Sequence, residues 1–210
     1  MNKPGFKARV FSRALIGAFT IVTLSLTGAN ASQQREPVTL PATGTFTFTT
    51  APGIVPAWNS ASITLTAISP ATLTTMSLTA TEKIEMPVVA KTGSANALAG
   101  GFRLTNTKTR ESVNCLIPTL DTKARVLDCV TIGAGAVWET TKVFFEISKI
   151  ATWTAFNSDG ERTSTLTGIE LRIPDSDTAE FFNDELSTTV FTTSVTIASG
   201  SLDVTRELTN

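Results

Sequence analysis

Acidic side chains gather in one short stretch of the chain, "PDSDTAEFFNDELSTT" at residues 174–189. Asp175, Asp177 and Asp184 could supply oxygen ligands to calcium, although the glycine and the terminal glutamate of an EF-hand loop are missing. The same stretch could serve a glycosidase, which needs two carboxylates at a defined separation across a cleft. We prefer a third interpretation, a solvated helix face whose acids favour the amino terminus of the helix. We therefore expect no metal here.

Two residue types that often carry out chemistry are absent, because the chain has no histidine and no tyrosine. Histidine is the most common general base and the usual zinc ligand. Without it the chain has no Ser-His-Asp or Cys-His arrangement and no HExxH site. Carboxylates, lysine, serine, threonine and cysteine remain. We predict a protein that is not an enzyme and has no cofactor, with a carboxylate-based secreted hydrolase as the alternative.

The two cysteines, Cys115 and Cys129, flank the segment "TLDTK" in a hairpin-like arrangement. A three-residue turn, Asp121–Lys123, would place them directly opposite each other and within reach of a disulfide. Their spacing does not suggest a redox pair of the CxxC kind, so we predict a structural disulfide. Pro118 lacks an N–H group, and its strand should therefore be bulged or lie at an edge.

Aromatic residues are the candidates for ligand contact. Trp58, Trp138 and Trp153 could form a carbohydrate-stacking platform, and Phe181 and Phe182 could line a ligand pocket. Tryptophan and phenylalanine are more often packed in the core, and this is our preferred interpretation of these residues.

Strands must position all of these residues. Threonine fills 35 of the 179 positions from residue 32 onward and often alternates with apolar residues, as in "TFTFTT" at 45–50. This period of two is typical of half-buried strands. It recurs at 62–68, 168–173 and 193–198, and further strands are predicted at 82–90, 101–107, 111–117, 124–132, 141–150 and 201–206. Many short strands separated by turns predict a mainly β fold, an antiparallel sandwich or barrel-like domain.

One segment breaks the alternation and predicts a short amphipathic helix near 176–187. Asp177 and Glu180 have capping-box spacing, and Phe182 and Leu186 fall on one helix face. The helix should pack its phenylalanines on the sheet or cover an open end of it.

The first 31 residues have the three parts of a secretory signal peptide: a basic start, an apolar run at 14–27 and the small residues "ANA". The apolar run is shorter than a membrane span. We expect cleavage before Ser32, an extended leader at 32–43 and one β-rich domain at 44–207. Although "LPATG" at 40–44 resembles a sortase signal, we interpret its glycine as the turn before the first strand.

Charge argues against two kinds of partner. Four of the 17 basic residues and none of the 18 acidic residues lie in the first 31, which leaves a net charge of −5 after cleavage. We expect no nucleic-acid partner and no membrane span after cleavage of the signal peptide.

Three motifs, "SITLTAISPATL" at 62–73, "GIELRIP" at 168–174 and "TAEFFNDEL" at 178–186, resemble secreted Ala/Thr-rich β proteins of actinobacteria, distantly like HtaA-type envelope domains. The resemblance implies a β-rich fold at the cell surface. Haem binding in that family depends on tyrosine and histidine, so no ligand positions carry over and only the scaffold is implied.

Composition, export signal and resemblance together predict a secreted or cell-envelope module, of a Gram-positive bacterium, that binds an unknown extracellular ligand. A self-assembling structural subunit of the envelope is a further alternative, because threonine-rich strands of low charge suit both.

Overall fold

Strands make up most of the residues that the computed structural model describes, which are 38–131 and 140–208. The chain forms two compact units, Met1–Arg35 and Glu36–Asn210, and the described residues belong to the second unit. The predicted signal peptide, its cleavage site and Trp138 lie outside the described residues. The elements in chain order are β1 (Thr39–Thr50), α1 (Ile54–Ser60), β2 (Ile63–Ile68), β3 (Thr72–Met76), β4 (Thr81–Thr92), β5 (Ala95–Leu98), β6 (Gly101–Asn106), β7 (Ser112–Asp121), β8 (Val126–Thr131), β9 (Thr140–Lys149), β10 (Thr152–Ser158), β11 (Glu161–Arg172), α2 (Ser176–Glu185) and β12 (Thr196–Glu207).

Eight antiparallel strands close into a barrel. Around the wall the order is β1, β4, β5, β7, β8, β9, β11 and β12, and β12 pairs with β1 to complete the circuit. The other four strands attach to this circuit: β6 to β7, β2 to β6, β3 to β4 and β10 to β11. The mainly β, antiparallel prediction is confirmed, and the fold is a barrel rather than a sandwich.

The barrel core is built from the alternation that the sequence shows. Phe46 of β1 pairs with Leu202 of β12 and Met86 of β4, while Leu202 also pairs with Leu166 of β11. All four side chains are buried. Neighbours along each strand point the other way, so threonines such as Thr45 lie on the outer surface.

The first strand begins earlier than the sequence predicts. Residues 39–43, expected in the leader, already belong to β1. The register between β1 and β4 shifts between Pro41 and Gly44, which marks a bulge. Gly44 has φ +147°, and a Cβ there would overlap the carbonyl oxygen of Asp203 on β12. Glycine is needed for this close approach of two strands, and the prediction of a turn at Gly44 is wrong.

Helix α2 forms where the sequence predicts it, but its N-cap lies two residues earlier than the predicted cap, Asp177. Asp175 is the N-cap, and its carboxylate accepts a hydrogen bond from the backbone N–H of Thr178 at 2.8 Å. The predicted capping box of Asp177 and Glu180 is therefore wrong. A second helix, α1, is also short. Neither helix of the described chain has the length and apolar character that crossing a membrane requires.

Replacing Asp175 with Ala should lower the free energy of unfolding by about 1 kcal/mol at neutral pH, the usual cost of losing an N-cap. The backbone and hydroxyl hydrogen bonds from Thr178 lower the pKa of Asp175 below 3.8. The stabilisation is therefore fully present above that value and is lost as the pH falls through the folded pKa. Urea unfolding of both proteins at pH 7 and at about pH 3 measures this. A difference in stability that stays constant between the two pH values would contradict it.

Candidate ligand-binding cavity at the barrel mouth

One end of the barrel opens into a cavity of about 700 Å³, which we call the mouth cavity. Its floor consists of Ile150, Leu166, Leu202 and Val204. The turn between β4 and β5 contributes Gly93 and Ser94, and the turn between β7 and β8 contributes Thr122 and the exposed cation Lys123. A volume of this size is typical of sites for small organic ligands.

The cavity is open because β11 changes partner along its length. Its carboxyl-terminal part, Glu170–Arg172, pairs with β9, whereas Glu161–Thr167 pairs with β10. The register with β12 also shifts between Leu166 and Ile169, next to this change. All seven residues of β10 are exposed, so the β10–β11 hairpin extends beyond the closed part of the wall. Trp153 of β10 lines the cavity and is 67% exposed.

Basic side chains surround the apolar floor. Along β12, Leu202, Val204 and Arg206 share the inner face of the strand, and all three line the cavity. β11 repeats this order with Leu166, Ser164 and Arg162, paired one for one with the three residues of β12. Each of these two strands therefore carries an arginine on the face that is apolar deeper in the barrel.

A third cation, Lys91 of β4, is half-buried at the same rim. Its Nζ donates a hydrogen bond to Oδ1 of Asn96 at 3.2 Å. Asn96 is fully buried, and its Nδ2 donates to the carbonyl oxygens of Ser94 and Leu120. Burial lowers the pKa of Lys91, the charges of Arg206 and Arg162 lower it further, and Asp121 partly offsets them. The amide of Asn96 thus holds a cation in place where like charges disfavour it.

No acidic residue lines the described part of the mouth cavity. Three ion pairs join described residues: Lys83–Glu85, Lys149–Glu170 and Arg172–Glu146. None of these three pairs includes Lys91, Arg162 or Arg206. The nearby acid Asp121 accepts hydrogen bonds from Ser94 Oγ and from the backbone N–H groups of Lys123 and Ala124, within the turn after β7. The cavity is therefore apolar at its floor and positively charged at its rim.

The other described aromatic candidates, Trp58, Phe181 and Phe182, do not line this cavity. Trp58 of α1 is buried and packs on Phe191, with their ring centroids 5.8 Å apart. Phe182 of α2 is fully buried, and Phe181 is half-buried with Nζ of Lys142 4.0 Å from its ring centroid. The structure does not bring Trp58 and Trp153 together as a stacking platform.

The acidic candidates of α2 are not arranged as a metal site. Asp175 is engaged as the helix cap, and Asp177 and Asp184 lie seven residues apart along the chain, about two turns of helix. Within residues 38–131 and 140–208, no three acidic, cysteine or histidine side chains lie together as a metal would require.

Cys115 and Cys129 form a disulfide, with their Cα atoms 4.9 Å apart. The two residues are not direct partners in the ladder, because Leu116 pairs with Val130 and Thr119 pairs with Asp128. The register shifts at Ile117 and Pro118, where a bulge accommodates the missing N–H of Pro118. The disulfide thus joins β7 to β8 where their hydrogen bonding is interrupted.

The turn between these two strands is longer than predicted. Asp121 pairs with Val126, which leaves a four-residue turn at 122–125 instead of the three-residue turn Asp121–Lys123. The carboxylate of Asp121 accepts hydrogen bonds from two backbone N–H groups of this longer turn. Arg125 ends the turn in the left-handed conformation, with φ 62°. The turn has one residue more than predicted because the bulge places two residues of β7, Ile117 and Pro118, opposite one residue of β8.

Sequence reasoning did not identify the rim cations Lys91, Arg162 and Arg206. A signal for two of them was present, because "RTSTL" and "LDVTR" each place an arginine in phase with buried apolar residues. A cation in phase with the core face of a strand indicates a strand end that leaves the closed core.

Comparisons with known proteins find little similarity to this chain. No protein-family model matches the chain, and no curated protein matches it. A solved structure, the haem-binding protein HtaB from Corynebacterium glutamicum, is similar with a TM-score of 0.48 and 12% identity, covering 81% of this chain and 96% of that chain. A likeness this distant carries no function over to the chain, whose cavity is therefore interpreted from its own residues.

Proposed function

We propose that this protein is a non-enzymatic module that binds a small, partly apolar molecule in the mouth cavity. The observation that carries the proposal is the apolar floor of Leu166, Leu202 and Val204 at the open end of an otherwise filled barrel. An apolar ligand that enters this cavity leaves water for an apolar environment, and this transfer favours binding. The exposed ring of Trp153 is placed to close over such a ligand.

The proposal places the module outside the cytoplasm, secreted or held at the cell envelope. Two features support this location. Residues 1–31 have the composition of a signal peptide. The disulfide between Cys115 and Cys129 is of a kind that persists in oxidising compartments.

A fluorescent neutral probe, N-phenyl-1-naphthylamine, tests the proposed site. We expect saturable binding of one probe molecule per chain. Ser164→Trp should abolish this binding, because the larger side chain fills the cavity from β11. Thr165→Trp is the matched control, since it adds the same ring to the outer face of the same strand and should leave binding unchanged.

Ala155→Trp offers a second route to the same test if Ser164→Trp fails to fold. Ala155 is exposed on β10 and pairs with Ser164, so a ring there narrows the same cavity. Absence of probe binding to the unmodified protein, or equal binding by a folded cavity variant, would reject the proposed site.

The hydrolase alternative finds no support at this cavity. A carboxylate-based hydrolase needs two acids that face each other across a cleft. The described lining of the mouth cavity has cations where those acids would be required.

Self-assembly is a second candidate function, and β10 favours it. This strand carries no charged residue, exposes Trp153 and Phe156, and pairs with β11 alone among the described strands. Uncharged, exposed edge strands are common sites of strand-to-strand association. Light scattering at increasing protein concentration separates the two candidates, because a binding module stays monomeric and a structural subunit assembles.

A further inference from the structure

The arrangement of charge in the mouth cavity indicates the kind of ligand. Arg162 of β11 and Arg206 of β12 are direct partners in the antiparallel ladder, and both line the cavity. Side chains at such positions have Cβ atoms about 5 Å apart, and like charges placed there repel each other. The repulsion between the two guanidinium groups therefore destabilises the protein without a ligand. An anion that lies between or beside the two groups would remove this repulsion.

Lys91 adds a third positive charge to this pair. Burial and the two arginines both lower its pKa, so the rim is crowded with cations. Asp121 is the acid that acts on Lys91, and its carboxylate is bound to Ser94 and to the turn after β7. Ion pairs within the described residues lie elsewhere. The protein thus leaves the positive charge of the rim without a matching acid in the cavity lining.

The cations and the apolar floor lie at different depths of the same cavity. Arg162 and Arg206 form the outermost ladder row of the cavity lining, followed inward by Ser164 with Val204 and then by Leu166 with Leu202. Val204 and Leu202 are 3% and 0% exposed, whereas the arginines are half-buried. A ligand that matches this gradient has a charged end at the rim and an apolar body in the barrel.

We infer that the mouth cavity binds an amphipathic anion, with its carboxylate or phosphate head held by Arg162, Arg206 and Lys91 and its apolar chain lying on Leu166, Leu202 and Val204. This inference rests on the proposed function and adds the chemical class of the ligand. A guanidinium group can bind a carboxylate or a phosphate through two parallel hydrogen bonds. The two arginines are therefore suited to hold the head group of such a ligand.

Two other kinds of anion match the site less well. An inorganic anion would satisfy the cations but would make no use of the apolar floor. A nucleic acid needs an extended basic surface, whereas a chain with 17 basic and 18 acidic residues places four cations, Lys91, Lys123, Arg162 and Arg206, around one cavity.

Calorimetric titration with amphiphiles of equal chain length tests the inference. Dodecanoate, dodecyl phosphate, dodecan-1-ol and dodecyltrimethylammonium are compared below their micelle-forming concentrations. We expect at least one of the two anions to bind about tenfold or more tightly than the alcohol, as charge-assisted hydrogen bonds would provide. The quaternary ammonium compound should bind more weakly than the alcohol, because it meets the like charges of the four cations that line the cavity.

Substitutions at the rim separate charge from general apolar binding. Arg162→Gln and Arg206→Gln should each weaken the binding of the favoured anion about tenfold while leaving dodecan-1-ol binding unchanged. Arg110→Gln is the matched control, since it removes the same charge from the turn after β6 at the other end of the barrel. Both rim variants should fold, because each relieves repulsion between the paired arginines.

The outcomes distinguish the inference from the proposal beneath it. Equal affinity for anion and alcohol, or rim variants that bind the anion as well as the control, would overturn the inference and leave an uncharged ligand site. Failure of both N-phenyl-1-naphthylamine and dodecan-1-ol to bind, together with failure of the anions, would reject the cavity as a ligand site altogether.

Discussion

Phe182→Ala is expected to lower the free energy of unfolding by about 3–5 kcal/mol, the cost of removing a large buried aromatic side chain. Phe182 is fully buried on α2, which follows the end of β11 that lies away from the mouth cavity. Its ring centroid lies 5.0 Å from that of Phe144 and 5.1 Å from that of Phe191. Domains of this size are stable by about 5–15 kcal/mol, so the variant should lose a large share of its stability.

Phe181→Ala provides the control for Phe182→Ala. The two residues are neighbours on α2, but Phe181 is half-buried and lies under the amino group of Lys142. Its removal should therefore cost less, since more of the lost surface already contacts water. Guanidinium unfolding followed by far-ultraviolet circular dichroism measures both variants. Equal losses for Phe181 and Phe182, or a loss below about 1 kcal/mol for Phe182, would contradict the placement of α2 against the barrel.

Removing the disulfide should lower the free energy of unfolding by about 3 kcal/mol, the value expected in the chain-entropy model for a closed loop of about 15 residues. The cysteines are 14 residues apart and fully buried. The bond also joins β7 to β8 at the bulge, where backbone pairing is interrupted. The double variant Cys115→Ala, Cys129→Ala is preferred to serine, because a buried hydroxyl without a partner would add its own cost.

Chemical reduction of the unmodified protein is the companion measurement. The reduced protein and the double variant should unfold at similar denaturant concentrations, both below that of the oxidised protein. Two free thiols in freshly isolated protein, or identical stability of the oxidised and reduced forms, would show that the bond does not form or does not stabilise the fold.

Local pattern predicted the strands that form the barrel core. The alternation of "TFTFTT" and "GIELRI" places Phe46, Phe48, Ile169 and Leu171 on the buried face, where the structure has them. Period-two alternation depends only on which face of a strand is buried, so it is visible without knowledge of the partner strand.

Strands whose two faces are both exposed were missed. β10 has no buried residue, and its sequence "TWTAFNS" therefore lacks the contrast between faces on which the prediction depends. The opposite error occurred at residues 199 and 200, which the sequence analysis leaves between two separate strands, 193–198 and 201–206, and which lie inside β12. A Cβ on Gly200 would overlap the carbonyl oxygen of Thr47, so this glycine serves close strand approach and not a turn.

The mouth cavity could not be predicted, because it depends on pairing between distant parts of the chain. Lys91 lies 71 residues before Arg162 in the sequence and comes near it only when the barrel closes through β1 and β12. The change of partner along β11 is likewise a property of the whole sheet. The helix cap and the disulfide depend on near neighbours, and for that reason the sequence located both of them to within a few residues.

The central claim is that the open end of the barrel is a binding site for an amphipathic anion. Its most direct test is a titration of the isotopically labelled protein with dodecanoate, followed by the chemical shifts of backbone amides. We expect saturable changes around the mouth cavity, at Gly93, Ser94, Val204 and Arg206, with little change at α2. Shifts centred on α2 and its aromatic neighbours, or no saturable shifts at all, would contradict it.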